Sequence, residues 1–146
     1  MENLIKINDE LAITTNQITA DQLQEAALEG YQSVMNLRSP EEEDFVTEEA
    51  LQVKAAGLQY FHIPIKPGTL TEELAEAVFK HIDEVPKPVI IHCKSGIRSG
   101  AMALMSMAKN QHLTAEQVLN KATEMGLNYD KNPKIKEFMT QYLGKK

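Results

Sequence analysis

The only cysteine of the chain, Cys93, lies between a predicted buried strand and a predicted helix. Residues 89–92 are mostly β-branched, which favours a strand, and Gly96 permits a backbone turn that a side chain would obstruct. The sequence from Ser99 through Ala108 then predicts a helix. In this order, the loop and the helix N-terminus direct several backbone N–H groups and the positive end of the helix dipole toward one point. These residues predict an anion-binding loop in which Cys93 loses its proton more readily than a free cysteine and acts as a nucleophile.

The neighbours of Cys93 support this interpretation. Arg98 carries a planar guanidinium suited to binding an oxyanion, and we expect it to be catalytic together with the cysteine. Ser99 is expected to cap the helix, and its hydroxyl can also donate a hydrogen bond to the sulfur. Lys94 is a rim charge that attracts an anionic substrate. The residues predicted to form the anion-binding loop are Lys94, Ser95, Gly96 and Ile97.

The spacing of these residues resembles two known signatures. His92-Cys93 followed by Arg98-Ser99 resembles the protein tyrosine phosphatase superfamily, but four residues separate the cysteine from the arginine where that signature has five. A Cys-x-x-Gly-x-Arg loop of this length is instead similar to the active loop of rhodanese sulfurtransferases. The longer loop wraps a tetrahedral phosphoryl group, whereas the shorter one leaves a tighter bowl better matched to a single sulfur atom.

The segments 11–23 and 30–38 resemble the opening of dual-specificity-like phosphatase domains. They are more closely similar to the phosphatase-like domain family named after beta-lactamase hydrolase-like proteins, over roughly residues 5 to 127. That resemblance implies the short loop on a phosphatase-type scaffold. His92 should point away from Cys93, on the opposite face of its strand. The resemblance implies that it braces the loop by a hydrogen bond.

Strands alternate with helices along the chain, which predicts an α/β sandwich of the dual-specificity phosphatase type, with a central, mostly parallel sheet flanked by helices. The site should lie at the C-terminal end of a central strand. Predicted strands occupy residues 5–13 (two strands around a turn at 8–10), 33–37, 58–65 and 89–92. Predicted helices follow Thr19, Ser39 or Thr47, Thr69 or Thr71, Ser99, Thr114 and Asn132.

Composition limits the possible functions. At 146 residues the chain is predicted to form one domain, 1–146. Its net charge of −6 argues against nucleic-acid binding, and no apolar run approaches the roughly 20 residues of a membrane span. One cysteine excludes an intrachain disulfide, and the start of the chain lacks a secretory pattern, so a cytoplasmic location is predicted. No metal-ligand spacing or nucleotide fingerprint occurs, and we expect neither metal nor cofactor.

Two further positions bear on the chemistry. Arg38 follows another predicted strand, where it either faces the same pocket or forms a surface ion pair with one of the glutamates 41–43. Phosphatases of the resembling superfamily place an aspartic acid on a loop before the signature strand, and in this chain Pro67 falls at about that position. The nearest carboxylates, Glu72 and Glu73, are expected in the first turn of a helix.

Three functions fit these observations. The first is sulfur transfer, in which Cys93 takes a sulfur from thiosulfate or a persulfide and passes it to an external thiol. The second is a phosphatase that forms a phosphocysteine from a phosphate ester. The third is a non-catalytic module that binds a small anion. The short loop and the missing acid place sulfur transfer first, because a good leaving group such as sulfite needs no proton donor.

Overall fold

The computed structural model describes residues 3–66 and 68–144, and a sheet of five strands forms the centre of this part of the chain. The strands are β1 (Leu4–Lys6), β2 (Leu11–Thr14), β3 (Ser33–Asn36), β4 (Gln59–His62) and β5 (Val89–His92). They lie in the order β1-β2-β5-β3-β4, with β1 antiparallel and the other pairs parallel. This confirms the predicted mostly parallel sheet and places the strand before Cys93 at its centre.

Six α-helices flank the sheet within the described ranges. They are α1 (Ala20–Leu28), α2 (Glu49–Ala55), α3 (Glu72–Glu84), α4 (Ile97–Gln111), α5 (Ala115–Glu124) and α6 (Pro133–Gly144), with a short 3₁₀ helix, Tyr129–Lys131, before α6. No helix in this part of the chain is both long enough and apolar enough to cross a membrane.

Side-chain alternation along the strands builds two hydrophobic layers. Ile13, Met35 and Ile91 pack with the apolar faces of α3 to α6, and the central helix α4 is buried along most of its length. Ala12, Val34 and Ile90, one position away on the same strands, pack with α1 and α2 on the other side. The sheet is therefore the middle layer of a sandwich and holds β5 rigidly behind the loop that follows it.

Capping residues in the sequence predicted the start of several helices correctly. Thr19 and Thr114 cap α1 and α5, as predicted. Each hydroxyl accepts a hydrogen bond from the backbone N–H of the third helical residue, a glutamine, whose side-chain oxygen accepts one from the backbone N–H of the threonine. Of the two alternatives for α3, Thr71 caps the helix, whereas Thr69 donates its hydroxyl to the Lys66 carbonyl. Helix α6 begins at Pro133, as predicted.

The segment between β3 and α2 differs from the prediction. Neither Ser39 nor Thr47 caps a helix: α2 begins at Glu49, after a Glu48 cap that makes no side-chain hydrogen bond. The Ser39 N–H instead donates to a carboxylate oxygen of Glu42 at 2.6 Å, which stabilises an irregular loop over residues 37–46. Strand β4 likewise ends at His62 rather than at residue 65.

Candidate active site

The loop after β5 turns sharply into α4. Gly96 is the N-terminal cap of α4 and has a φ of 90°, which a residue with a side chain adopts only under strain. A Cβ atom at this position would lie 3.1 Å from the Thr14 carbonyl oxygen and 3.3 Å from the Thr15 Cα. The prediction that Ser99 caps this helix is therefore wrong, because α4 already begins at Ile97 and Ser99 lies within its first turn.

The sulfur of Cys93 receives hydrogen bonds from this loop. The Gly96 N–H lies 3.3 Å and the Ser99 N–H 3.5 Å from Sγ, and the Ser99 hydroxyl is also 3.5 Å from the sulfur. Both Cys93 and Ser99 are fully buried. The structure thus brings together a thiol, two backbone donors, a hydroxyl and the N-terminus of a 15-residue helix.

Arg98, also in the first turn of α4, is held by a glutamate that the sequence analysis did not identify as its partner. Its Nη1 and Nη2 donate to the two carboxylate oxygens of Glu42 at 2.7 and 2.8 Å, and Nη1 also donates to the Ile65 carbonyl at 2.7 Å. Only 8% of Arg98 is exposed. Its Nε is engaged neither by Glu42 nor by Ile65, and the guanidinium also interacts with Cys93.

The ion pair shifts the pKa of Glu42 and the pKa of Arg98 in the directions that favour the charged form of each side chain. Burial by itself would raise the pKa of Glu42, but hydrogen bonds from Arg98, the Ser39 N–H and Arg38, together with the charge of Arg98, lower that pKa to about 2. Burial would lower the pKa of Arg98, but the hydrogen bond to Glu42 and the negative charges of Cys93 and Glu42 raise it. Glu42 is therefore a carboxylate at neutral pH and has no proton to give to a leaving group.

Arg38 forms an ion pair with Glu42, one of its three predicted partners, but the pair is buried rather than at the surface, and Arg38 does not line the pocket beside the loop. It is 1% exposed, and its Nε contacts a Glu42 carboxylate oxygen at 3.3 Å. Its other nitrogens donate to the side chain of Gln17 at 2.8 Å and to the Glu43 carbonyl at 2.7 Å. Arg38 reaches the site through Glu42, whose position it fixes.

His92 is part of the same buried network. A hydrogen bond of 2.6 Å joins its Nε2 to a carboxylate oxygen of Glu49, and both side chains are fully buried. Glu49 also accepts from Gln17, which in turn accepts from Arg38. A continuous chain of polar contacts therefore runs from His92, the residue before Cys93, through Glu49, Gln17, Arg38 and Glu42, to Arg98.

A second support comes from the segment before α6. The hydroxyl of Tyr129 donates to the Ile97 carbonyl at 2.7 Å, within the loop-to-helix turn. Burial raises the pKa of Tyr129 far above its ordinary value, and the charge of Cys93 adds to the rise, so the hydroxyl keeps its proton. A Cβ atom on Gly100 would lie 2.6 Å from Leu127 and 2.8 Å from the Tyr129 oxygen, so this segment packs directly against α4.

A cavity of about 580 Å³ opens beside the loop. Lys94, Ser95, Ile97 and Arg98 line it, the first two with exposed side chains, whereas Cys93 is fully buried and is not among the lining residues. The predicted acid position, Pro67, lies outside the described residues. The other lining residues are Glu42, Glu43, Gly68, Lys131, Asn132, Pro133, Lys134 and Ile135.

The sequence analysis did not identify Glu49, Gln17 or Tyr129, and it named Glu42 only as one of three possible partners of Arg38, not as the partner of Arg98. Nothing in the run of three glutamates at 41–43 distinguishes the member that binds arginine. Glu49 offered a weak signal, because an acidic residue at a buried position of a helix requires a partner. Glu72 and Glu73 do lie in the first turn of α3, as predicted.

Comparison with known proteins identifies the family to which this chain belongs. Residues 3–110 match the family described as "Beta-lactamase hydrolase-like protein, phosphatase-like domain". The chain belongs to this family, and its match ends at residue 110 rather than at the predicted 127.

The chain is also similar to two curated relatives. It is 31% identical over 107 residues to the beta-lactamase hydrolase-like protein of Agrobacterium fabrum, covering 71% of this chain and 25% of that protein. It is 31% identical over 118 residues to the protein of the same description from Xylella fastidiosa, covering 79% of this chain and 27% of the relative. The chain thus spans about a quarter of the length of the curated relatives it matches.

Solved structures share the fold. A putative phosphatase from Shewanella putrefaciens superposes with a TM-score of 0.79 at 25% identity, covering 98% of this chain and 92% of that one. A putative phosphatase from Neisseria meningitidis gives a TM-score of 0.79 at 21% identity, with coverages of 97% and 98%. A Pseudomonas aeruginosa protein in complex with phosphotyrosine gives 0.74 at 13% identity, with coverages of 97% and 90%. These matches confirm the predicted α/β phosphatase-like fold.

Proposed function

We propose that this phosphatase-like domain hydrolyses phosphate monoesters through a phosphocysteine on Cys93. The observation that carries the proposal is the set of groups around one sulfur: two backbone N–H donors, the Ser99 hydroxyl, and an arginine fixed by an ionised carboxylate. Such donors stabilise charge on the equatorial oxygens of a transferring phosphoryl group. The Pseudomonas aeruginosa protein of the same fold, which is in complex with phosphotyrosine, supports an ester of this kind as ligand.

The first step forms a sulfur–phosphorus bond. The Cys93 thiolate attacks phosphorus, the bond from phosphorus to the ester oxygen breaks, and the leaving oxygen departs with the electron pair and takes a proton from solvent. Arg98 holds the phosphoryl oxygens meanwhile. Because Nε of Arg98 is not used by Glu42 or Ile65, the guanidinium can bind the phosphoryl group without leaving its partners.

The second step regenerates the free enzyme. Water attacks the phosphocysteine, the sulfur–phosphorus bond breaks, and inorganic phosphate leaves while its surplus proton passes to solvent. The sulfur regains its electron pair as a thiolate and is stabilised by the N–H groups of Gly96 and Ser99 and by the Ser99 hydroxyl. Ser99 therefore assists the second step most, when negative charge returns to the sulfur.

The state of Glu42 sets which esters react. With a pKa of about 2, Glu42 cannot protonate a leaving oxygen at neutral pH. General-acid assistance contributes roughly 10²- to 10⁴-fold in rate, so esters with stable leaving groups, such as aryl phosphates, should react much faster than alkyl phosphates.

Phosphoryl transfer is therefore preferred to sulfur transfer, the function that the sequence analysis ranked first because of the short loop. The loop length is a local argument, whereas the family, the fold and the phosphotyrosine complex all favour phosphoryl chemistry. None of the descriptions of these relatives supports sulfur transfer.

The test is the release of inorganic phosphate from para-nitrophenyl phosphate by the wild type, Cys93→Ser and a control, Ser106→Ala. Ser106 is a small buried residue of the same helix and lies two turns beyond the loop. We expect turnover by the wild type and the control and none by Cys93→Ser, because no base activates a serine hydroxyl there. Equal phosphate release by Cys93→Ser, or no release by the wild type, would overturn the proposal.

A further inference from the structure

We infer that the cavity beside the Cys93 loop holds a second anion subsite, formed by Lys131 and Lys134. The substrate would be a small molecule that carries another phosphoryl group near the one transferred. This inference rests on the proposed function and deepens it, because it concerns the substrate class of the same site.

The size of the cavity exceeds what one phosphoryl group needs. In the proposed reaction Arg98 binds that group, and from the Cys93 loop and the start of α4 only Lys94, Ser95, Ile97 and Arg98 line the cavity. The whole cavity measures about 580 Å³, within the range of roughly 300–1,000 Å³ that accommodates complete small-molecule ligands. Lys131 and Lys134 also line this cavity.

The charges on the lining are strongly unbalanced. Glu42 and Arg98 neutralise each other, so three lysines, Lys94, Lys131 and Lys134, remain against the single carboxylate of Glu43. Within residues 3–66 and 68–144, no ion pair holds any of these three lysines, although the nearby Lys66 and Lys136 are paired with Glu41 and Asp130. A chain of net charge −6 thus concentrates positive charge at this cavity, which attracts anions.

The backbone and one side-chain position add to this field. The first turn of α6, Pro133 to Ile135, lines the cavity together with Ile97 and Arg98 of α4, so the positive ends of two helix dipoles lie beside it. The Lys134 Nζ lies 4.0 Å from the Cβ position of a side chain at Gly68, which also lines the cavity. Lys134 therefore extends from α6 toward the loop before α3, where it can contact a bound anion.

The subsite is separable from the transfer chemistry. Cys93, Arg98 and Glu42 lie within residues 3–110, which match the family, whereas Lys131 and Lys134 lie beyond them. Both lysines are exposed, so replacing them should leave the fold and the loop intact. The lysines should therefore strengthen the binding of a ligand with several phosphoryl groups far more than the binding of orthophosphate.

The test uses calorimetric titration of the Cys93→Ser protein, which cannot turn over, with inorganic orthophosphate and inorganic tripolyphosphate. The same titrations are made with Lys131→Gln/Lys134→Gln added, and with a matched control, Lys54→Gln/Lys80→Gln, which removes two exposed lysines of α2 and α3. We expect the substitutions Lys131→Gln/Lys134→Gln to weaken tripolyphosphate binding on the order of tenfold, whereas orthophosphate binding should change by less than about twofold. The control should change neither, which separates the subsite from a loss of overall charge.

The outcomes separate this inference from the proposed function. The subsite is overturned if tripolyphosphate binds no more tightly than orthophosphate, or if the cavity and control substitutions weaken tripolyphosphate binding equally. Either result counts against the subsite even if the wild type hydrolyses aryl phosphates. Lysine-dependent tripolyphosphate binding supports it even if the wild type releases no phosphate, in which case the proposed function fails instead. If only an acidic phosphopeptide, tested in parallel, depends on the two lysines, the small-molecule substrate is wrong.

Discussion

The carboxylate of Glu42 and the guanidinium of Arg98, 56 residues apart in the chain, form a two-point ion pair at 2.7 and 2.8 Å. Glu42 also accepts from the Ser39 N–H and from Arg38, so the loop after β3 holds the arginine of the loop after β5. Two-point pairs of this kind fix a guanidinium in direction as well as in place. Because Glu42 engages only Nη1 and Nη2, it orients Arg98 without contacting Nε.

Replacing Glu42 by glutamine should lower kcat/KM for para-nitrophenyl phosphate by roughly tenfold to a hundredfold, because Arg98 loses its fixed orientation. The measurement is steady-state kinetics over a range of pH values. The matched control is Glu41→Gln, which removes the adjacent exposed carboxylate that pairs with Lys66. An unchanged or increased rate in Glu42→Gln would show that Glu42 does not position the arginine.

The same substitution should change how stability depends on pH. The pKa of Glu42 is lowered to about 2 from 4.5 on folding, so its stabilisation is fully present above about pH 4.5 and is lost as the pH falls toward 2. The difference in unfolding free energy between wild type and Glu42→Gln should therefore shrink across that interval. Urea unfolding at a series of pH values measures it, and a difference that stays constant from pH 6 down to the acid limit contradicts the assignment.

Gly96→Ala should lose both stability and activity. The φ of 90° costs an alanine about 1–2 kcal/mol, and its Cβ would also press on the Thr14 carbonyl oxygen at 3.1 Å. Gly57→Ala is the matched control, since Gly57 has a φ of 85° but open space around its Cβ position. We expect the control to show the backbone cost alone, with full activity. Equal losses in the two variants would mean that the contact with β2 is unimportant.

Tyr129→Phe should make the turn between β5 and α4 more mobile, although Tyr129 itself lies outside that turn. The substitution removes the hydrogen bond to the Ile97 carbonyl and should cost about 1 kcal/mol in unfolding free energy. Because the turn then moves more freely, kcat should fall while KM for a small aryl phosphate changes little. Tyr31→Phe, in the other hydrophobic layer, serves as the control. A stability loss with unchanged kcat would limit Tyr129 to a structural role.

Sequence reasoning succeeded where the signal was local. The helix cap at Thr19, the capping box at Thr114, the strand after Pro88 and the turn at Gly96 each depend on residues a few positions apart. It placed the start of α4 at Ser99 because a glycine cap with a positive φ leaves no side-chain signature.

The long-range part of the site was not predictable in this way. The contacts of Glu42 with Arg98 and of Glu49 with His92 join residues 56 and 43 positions apart. Their existence depends on β3 and β5 lying side by side, which places the loop after one strand against the loop after the other. The pattern of hydrophobic residues predicts the strands but does not give their order in the sheet.

The central claim is that Cys93 carries a phosphoryl group during turnover. The most direct measurement is the intact mass of the wild type quenched with acid while it turns over para-nitrophenyl phosphate, beside a sample incubated with thiosulfate. The account predicts a species heavier by one phosphoryl group, absent from Cys93→Ser, and an unchanged mass with thiosulfate. A species heavier by one sulfur atom with thiosulfate, together with no phosphoryl adduct from the aryl phosphate, would contradict it.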